Sequence, residues 1–233
     1  MDTFGKEIYI VSCAPRSRVP RYKPGQFLHL TLDPFDPSSG YWPDSRVFSI
    51  ASTLSDEHIQ FIFSVKGAYT SRMARELHPG GDVWLKLPYG DFCIPTRVKR
   101  NCDIVLVAGG TGISPFIPFL RGLSDAPLYN EIHLFYGVRH SGLLLEQNLL
   151  AGCLNTIPNF KIDLFIEQNG PPPLFGLPFQ KGRLSWRRIH EYTRNVQSTQ
   201  FFLSGPPEML RVFQAGLISA DIPAAHIIID AWE

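Results

Sequence analysis

Hydrophobic positions follow two regimes along the chain. Up to about residue 97 they occur in short runs between turns; beyond it, apolar runs alternate with amphipathic stretches. The clearest alternation is 58–66, HIQFIFSVK. Ile59, Phe61, Phe63 and Val65 fall on one face and His58, Gln60, Ser64 and Lys66 on the other, with Ile62 the exception. A period of two is the pattern of a half-buried strand. Further strands are expected at 7–11, at 26–32 after the turn Lys23-Pro24-Gly25, and at 83–87 before Pro88-Tyr89-Gly90. One helix is expected here, capped by Thr70 or Ser71, with Met73, Ala74 and Leu77 inward and Pro79-Gly80-Gly81 as its stop. Residues 33–44 read as a long loop whose aromatics Phe35, Tyr41 and Trp42 either cover something or pack the loop down. Short strands separated by turns predict a small antiparallel barrel.

From residue 98 strands are expected at 103–108, 131–136, 160–166, 200–204 and 226–229, and helices near 115–123, 144–151, 186–194 and 207–220. Such alternation predicts a parallel sheet with helices on both faces. The last helix opens at Pro206-Pro207-Glu208, and Leu210, Phe213, Leu217 and Ile218 mark its buried stripe. The expected division is therefore a barrel domain over 1–97 and an α/β domain over 98–233.

The most informative stretch is 102–121. The apolar run from Ile104 to Val107 leads at once into Gly109-Gly110-Thr111-Gly112, then Ser114-Pro115 and a new apolar segment. A buried strand followed by glycines and a helix start gathers backbone N–H groups around a phosphate. Ser114 suits an N-cap and Pro115 the first helical position, whereas Pro118 fits a helix badly. Pro115 stands where the last glycine of G-x-G-x-x-G would be, so this is a different loop. Ligands of such sheets sit beyond the carboxyl ends of the strands. Two more such ends stand out: Tyr136-Gly137-Val138-Arg139, where Arg139 could reach a phosphate or ribose, and Ser204-Gly205-Pro206-Pro207. One such end could merely turn the chain; three in one domain point to a ligand.

The barrel half carries two candidate stretches. In RVFSIAS (46–52), Arg46, Phe48 and Ile50 share one strand face and Val47, Ser49 and Ala51 the other. Arg46 could grip a phosphate while Phe48 covers a flat ring. In VKGAYTS (65–71) a strand ends at a glycine and a helix opens with hydroxyls, either as a second anion-holding N-terminus or as an ordinary capped helix. Residues 169–181, NGPPPLFGLPFQK, form a proline-rich surface loop that could present a polyproline segment; Arg183 is a weak anion contact before a helix capped by Ser185.

Composition narrows the function. The net charge of +1 gives no field to recruit nucleic acid or an anionic membrane. No apolar stretch is long enough to span a bilayer, and the first residues, MDTFGKEIYIV, lack the pattern of a secretory signal. Cys13, Cys93, Cys102 and Cys153 are scattered with no C-x-x-C, against zinc and a cysteine-ligated iron–sulfur cluster. Reduced thiols in a cytoplasmic protein are expected. The histidines are dispersed, and there is no G-x-S-x-G elbow.

Taken in order, the motifs resemble those of the ferredoxin–NADP reductase-like flavoprotein superfamily over nearly the whole chain. RVFSIAS is similar to the flavin-binding R-x-[YF]-S-x-A-S motif, GAYTS (67–71) to the pyrophosphate helix, and AGGTGISPF (108–116) to the nicotinamide-nucleotide loop; YGVR (136–139) and SGPPEM (204–209) complete the set. K-G-x-[YF]-T with PYGDF (88–92) is nearest the ferric-reductase branch. The resemblance implies a barrel binding FAD, or less often FMN, and an α/β domain binding NADH or NADPH. It places Arg46 on the flavin pyrophosphate, Phe48 against the ring and Ser49 at its N5, with Val47 beside them. Val65, Lys66, Ala68, Tyr69, Thr70 and Ser71 would contact the pyrophosphate or ribityl chain. Gly110, Thr111, Gly112 and Arg139 would hold the nicotinamide nucleotide, and Gly205, Pro206 and Met209 its nicotinamide or ribose end. Trp232 is the candidate aromatic for the other flavin face, and Ser49, Ser204 and Trp232 are the candidate catalytic residues.

Three departures qualify the match. Ser204 stands where many members have a cysteine, no membrane helices precede the barrel, and no cysteine set supports a fused iron–sulfur domain. The implied activity is hydride transfer from NAD(P)H to bound FAD, with electrons passed to a separate acceptor such as a ferredoxin or an oxygenase component. The alternatives are an NAD(P)H:flavin reductase that releases reduced flavin, and a redox-inactive regulatory subunit. Nicotinamide preference stays open: His140-Ser141-Gly142 offers neither an acid for a ribose diol nor an arginine pair for a 2′-phosphate.

Overall fold

The structure, a computed structural model, describes residues 1–4, 7–94, 98, 102–123, 128–193 and 198–231. The first part folds into two three-stranded antiparallel sheets. One runs β1 (Asp2–Phe4), β2 (Ile8–Cys13), β5 (Ile59–Ser64); the other runs β4 (Arg46–Ser49), β3 (Phe27–Thr31), β6 (Trp84–Tyr89). An isolated bridge between Ile50 and Phe61 joins the two into a barrel. Helix α1 (Ala68–Glu76) sends Tyr69 and Met73 into the barrel core beside Leu28, Leu30, Phe61 and Phe63.

Ile62 breaks the alternation of its strand for a tertiary reason. Phe61 and Phe63 face the barrel core, while Ile62 belongs to a second core shared with the parallel sheet. Strand β5 is thus buried on both faces. Phe48 also belongs to the barrel core. It faces Leu28 across the strands, is 7% exposed, and stacks on Phe61 with centroids 5.2 Å apart. Its packing role is therefore established by contacts within the chain, whatever it also offers a ligand. Phe48→Leu, which keeps an apolar group but opens a small void, is expected to cost about 1–2 kcal/mol in chemical denaturation.

The second part is a six-stranded parallel sheet in the order β10-β9-β8-β7-β11-β12. The strands are β7 (Asp103–Gly109), β8 (Ile132–Val138), β9 (Phe160–Ile166), β10 (Phe179–Lys181), β11 (Thr199–Ser204) and β12 (Ile227–Ile229). Helices α2 (Ile117–Gly122) and α3 (Gln147–Thr156) cover one face with Phe119, Leu120 and Leu150; α4 (Trp186–Tyr192) and α5 (Pro207–Ser219) cover the other with Ile189, Phe213 and Leu217. The first face also receives Ile8, Ala51, Ile62, Phe92 and Ile94 from the barrel side, and the Phe92 ring meets both Phe116 and Phe202. A continuous apolar core of this kind holds the two parts in one arrangement.

Several expectations change. The proline-rich stretch is not all loop: Leu174–Gly176 is a short 3-10 turn and β10 follows as an edge strand on β9. The helix expected at 144–151 begins only at Gln147, because Glu146 takes a left-handed φ of 55°. Ile218 is 44% exposed rather than buried; Gly216 takes that place, and the Trp186 ring packs against it. The expected domain boundary at 97/98 includes residue 97, which lies outside the described residues.

Candidate functional site

The barrel is open along one seam. Ile50 N–H bonds to Gln26 O on the β3 side, and Ala51 N–H bonds to Gln60 O on the β5 side. Backbone direction alternates along a strand, so the N–H groups of Val47 and Ser49 point the same way as that of Ala51, toward β5. Among the described residues the Ile50–Phe61 bridge and the Ala51 bond are where the two strands meet. From there β4 and β5 part, and the N–H groups of Val47 and Ser49 face a slot with no ladder partner among the described residues.

At one end of the slot sits a cation beside a helix start. Arg46 lies over the Tyr69 ring, 4.5 Å from its centroid, and its Nη1 donates to Asp44 Oδ1 and Ser45 O, both at 2.7 Å. The Tyr69 hydroxyl donates toward Leu30 O (3.1 Å) and Asp44 O (3.2 Å), and burial pushes its phenol up from the usual tyrosine range. Tyr69 is the second residue of α1, so Arg46 is fixed at that helix's N-terminus. The N-cap is Gly67, not Thr70 or Ser71. Thr70 instead accepts from the Lys66 and Gly67 N–H groups at 2.9 and 3.1 Å. Its hydroxyl thereby holds the loop into α1, while the first-turn N–H groups have no intrahelical acceptor. Those groups and Arg46 together can hold an anion. Val65 N–H continues the pairing of β5 with β2 by donating to Glu7 O.

The other end opens onto the parallel sheet where its order reverses. Strands β8, β9 and β10 lie to one side of β7, and β11 and β12 to the other. The crevice beyond the carboxyl ends of β7 and β11 is thus a topological switch point. Residues 110–116 form a 3-10 helix there, and the α-helix starts only at Ile117. Ser114 is accordingly not an N-cap; its hydroxyl donates to Thr111 O at 2.7 Å. Pro118 falls in the first turn of α2, which removes its misfit. The glycines divide the work. A Cβ at Gly112 would sit 2.2 Å from Ser204 O, and one at Gly109 2.6 Å from Met209 Sδ. Gly205 would bring a Cβ 2.6 Å from Met209 Cε. These positions let the loops after β7 and β11 touch. Gly110 has a left-handed φ of 55°, and an added Cβ there would meet open space.

Between the two ends, hydroxyls from both parts converge on one carboxylate. Ser204 Oγ donates to Asp230 Oδ2 at 2.8 Å, and Ser49 Oγ approaches the same oxygen at 3.5 Å. All three residues are buried. Asp230 follows β12 and is tied to β11 by its N–H bond to Leu203 O.

Comparison with known proteins bears on the fold. Residues 106–215 fit the model of the oxidoreductase NAD-binding domain. Over 97% of its length the chain superposes on 93% of a ferredoxin–NADP+ reductase from Neisseria gonorrhoeae that holds FAD and NADP, with a TM-score of 0.74 at 20% identity. The chain has the ferredoxin–NADP reductase fold. It also superposes on the cytochrome P450 reductase GcoB of Amycolatopsis, at a TM-score of 0.80 and 21% identity over 98% of this chain and 66% of that one. Among curated relatives, it is 29% identical over 207 residues to the toluate 1,2-dioxygenase electron transfer component of Pseudomonas putida, covering 88% of this chain and 57% of that protein. It is 26% identical over 213 residues to the ferredoxin–NAD(P)+ reductase component of the naphthalene 1,2-dioxygenase/salicylate 5-hydroxylase systems of a Ralstonia species, covering 91% and 60%. The chain thus spans about three-fifths of the length of these curated relatives. The resemblance read from the motifs is borne out, as is the barrel followed by a parallel α/β sheet.

Within this reductase fold the candidate residues fall into groups. Arg46, Val47, Ser49 and the start of α1 share the slot, and Gly110, Thr111, Gly112, Ser204, Gly205, Pro206 and Met209 share the switch point. Arg139 Nη2 pairs with Glu7 Oε2 at 3.2 Å, linking β8's end to the barrel. Trp232 lies outside the described residues. The residue missed by sequence reasoning is Asp230. Its signal was an acid closing the apolar run of β12, but nothing local showed that two distant serines would meet it. Among the described residues no helix is long and apolar enough to cross a membrane.

Proposed function

We propose that this chain binds FAD in the barrel slot and NADH or NADPH at the switch point, and passes electrons from one to the other and on to a separate acceptor. The observation that carries the reading is the slot itself. One bank supplies the N–H groups of Val47 and Ser49, which have no ladder partner among the described residues, one end supplies Arg46 and the α1 N-terminus, and the other opens on the switch point. A flat ring with hydrogen-bonding edges and a diphosphate tail matches all three. FAD, when bound, takes a hydride from the nicotinamide nucleotide and releases electrons singly. The chain's own part is placement. Arg46 and the first turn of α1 hold the diphosphate; the backbone of β4 aligns the ring edge, with Phe48 behind it. At 3.5 Å from Asp230 the Ser49 hydroxyl is only loosely held, so it can turn to a ring nitrogen and deliver or withdraw a proton there. Ser204 keeps Asp230 in place, and Trp232 is proposed for the ring's far face. The division into domains near 97/98 and a cytoplasmic location belong to the same reading; all four cysteines are free thiols.

The names of the dioxygenase relatives favour an oxygenase component or a ferredoxin as acceptor. Arg46 and α1 favour retained FAD over flavin released as product, because both grip a diphosphate that FMN lacks. Purified protein should be yellow after gel filtration and oxidise NADH or NADPH with ferricyanide. Colourless protein that reduces added flavin would favour the flavin-reductase alternative, and no oxidation with any dye would leave a redox-inactive subunit. Arg46→Ala should weaken FAD binding by about 10- to 100-fold, as expected for loss of a charge-assisted hydrogen bond. Its effect on FMN should be smaller, measured by flavin fluorescence.

A further inference from the structure

The barrel has a second seam, between β2 and β6, away from the slot. Among the described residues β6 pairs only with β3 and is the edge of its sheet. Beside it lies a groove of about 800 Å³, walled by the end of β2, the 14–20 loop, the turn after α1 and β6 itself. Its floor is apolar, with Val11, Leu77 and Leu85. Its rim is basic through Arg18 and Lys86, with Arg16 beside them. The one acid among these walls, Asp82, is already paired with Arg16 at 2.5 Å. Arg21 and Lys23 extend the same charge along the exposed loop. This concentration stands out on a chain whose net charge is only +1.

We propose that this seam is a docking groove for an extended acidic segment of a partner protein, bound as an added strand along the free edge of β6. The edge offers unpaired main-chain groups, the mode by which strands are recruited to sheets. An alternating segment would set apolar side chains on the floor and carboxylates against the rim. A second copy of this chain is disfavoured as occupant, because it would bring its own Lys86 and arginine loop to the same place. Lys86 and Pro88 are the residues with which an edge strand resists self-pairing. The proposal is independent of flavin binding.

The test uses the whole chain and synthetic peptides about seven residues long: alternating valine and glutamate, the same with lysine for glutamate, and the glutamate peptide with alternate amides N-methylated. The glutamate peptide should bind at least about tenfold tighter than the lysine one, slow hydrogen exchange at 84–89 and change Trp84 fluorescence. N-methylation should weaken it about tenfold, and so should the double substitution Arg18→Glu with Lys86→Glu. Thermal unfolding checks that this variant is folded; if it is not, the three peptides on the unaltered chain decide. No binding of the glutamate peptide at millimolar concentration overturns the proposal. So does equal binding of both charges, or binding of the N-methylated peptide as tightly as its parent, which would be charge capture without a strand.

Discussion

Gly112→Ala is expected to abolish nicotinamide-nucleotide binding and to destabilise the protein by about 3 kcal/mol or more. The added Cβ would lie 2.2 Å from Ser204 O and 2.5 Å from Ser204 C. Both are backbone atoms of a central strand, so nothing flexible can yield. Relief must come from moving the 3-10 segment off β11, which opens the switch point. Gly110→Ala is the matched control. Its Cβ meets nothing within 4 Å, and the cost is the left-handed φ of 55° alone, about 1–2 kcal/mol. Thermal unfolding and nucleotide titration by fluorescence separate the two. Equal losses in both variants would mean that the two loops do not depend on close contact.

Asp230→Ala should lower NAD(P)H-driven turnover by about 100-fold or more while leaving FAD bound. The carboxylate is buried, accepts from Ser204 at 2.8 Å and is within reach of Ser49. Its removal strands the Ser204 hydroxyl in the interior, at a stability cost of about 1–3 kcal/mol, and leaves Ser49 without its acidic neighbour. Ser204→Ala removes the hydroxyl with its bond and should be milder in both respects. Stopped-flow reduction of the bound flavin is the deciding measurement. A normal rate in Asp230→Ala would reduce the three residues to a structural tie between the barrel and the sheet.

Much of the fold was legible because its determinants are local. Alternation in 58–66 and the apolar runs at 103–108 and 160–166 each report how one element is buried. Propensity failed where a neighbour decided. β10 is a three-residue strand inside a proline-rich stretch and exists because β9 offers an edge. The α-helix after the glycine loop starts at Ile117 rather than Pro115, because residues 110–116 form a 3-10 segment whose Gly112 lies against β11. Ile62 looked like an error of pattern until the sheet arrived on its other side.

The chain's order of residues determined by itself that a barrel precedes a parallel sheet, that Arg46 stands before a glycine-opened helix, and that glycines cluster after the first parallel strand. Each follows from periodicity, charge and backbone freedom within a few neighbouring positions. Only the tertiary structure decided that β4 and β5 part to leave a slot, that Arg139 pairs with Glu7, and that Ser49, Ser204 and Asp230 meet. Those three are separated by up to 181 positions along the chain, and their meeting depends on how one apolar core seats the barrel against the sheet. No stretch of sequence carries that long-range packing alone.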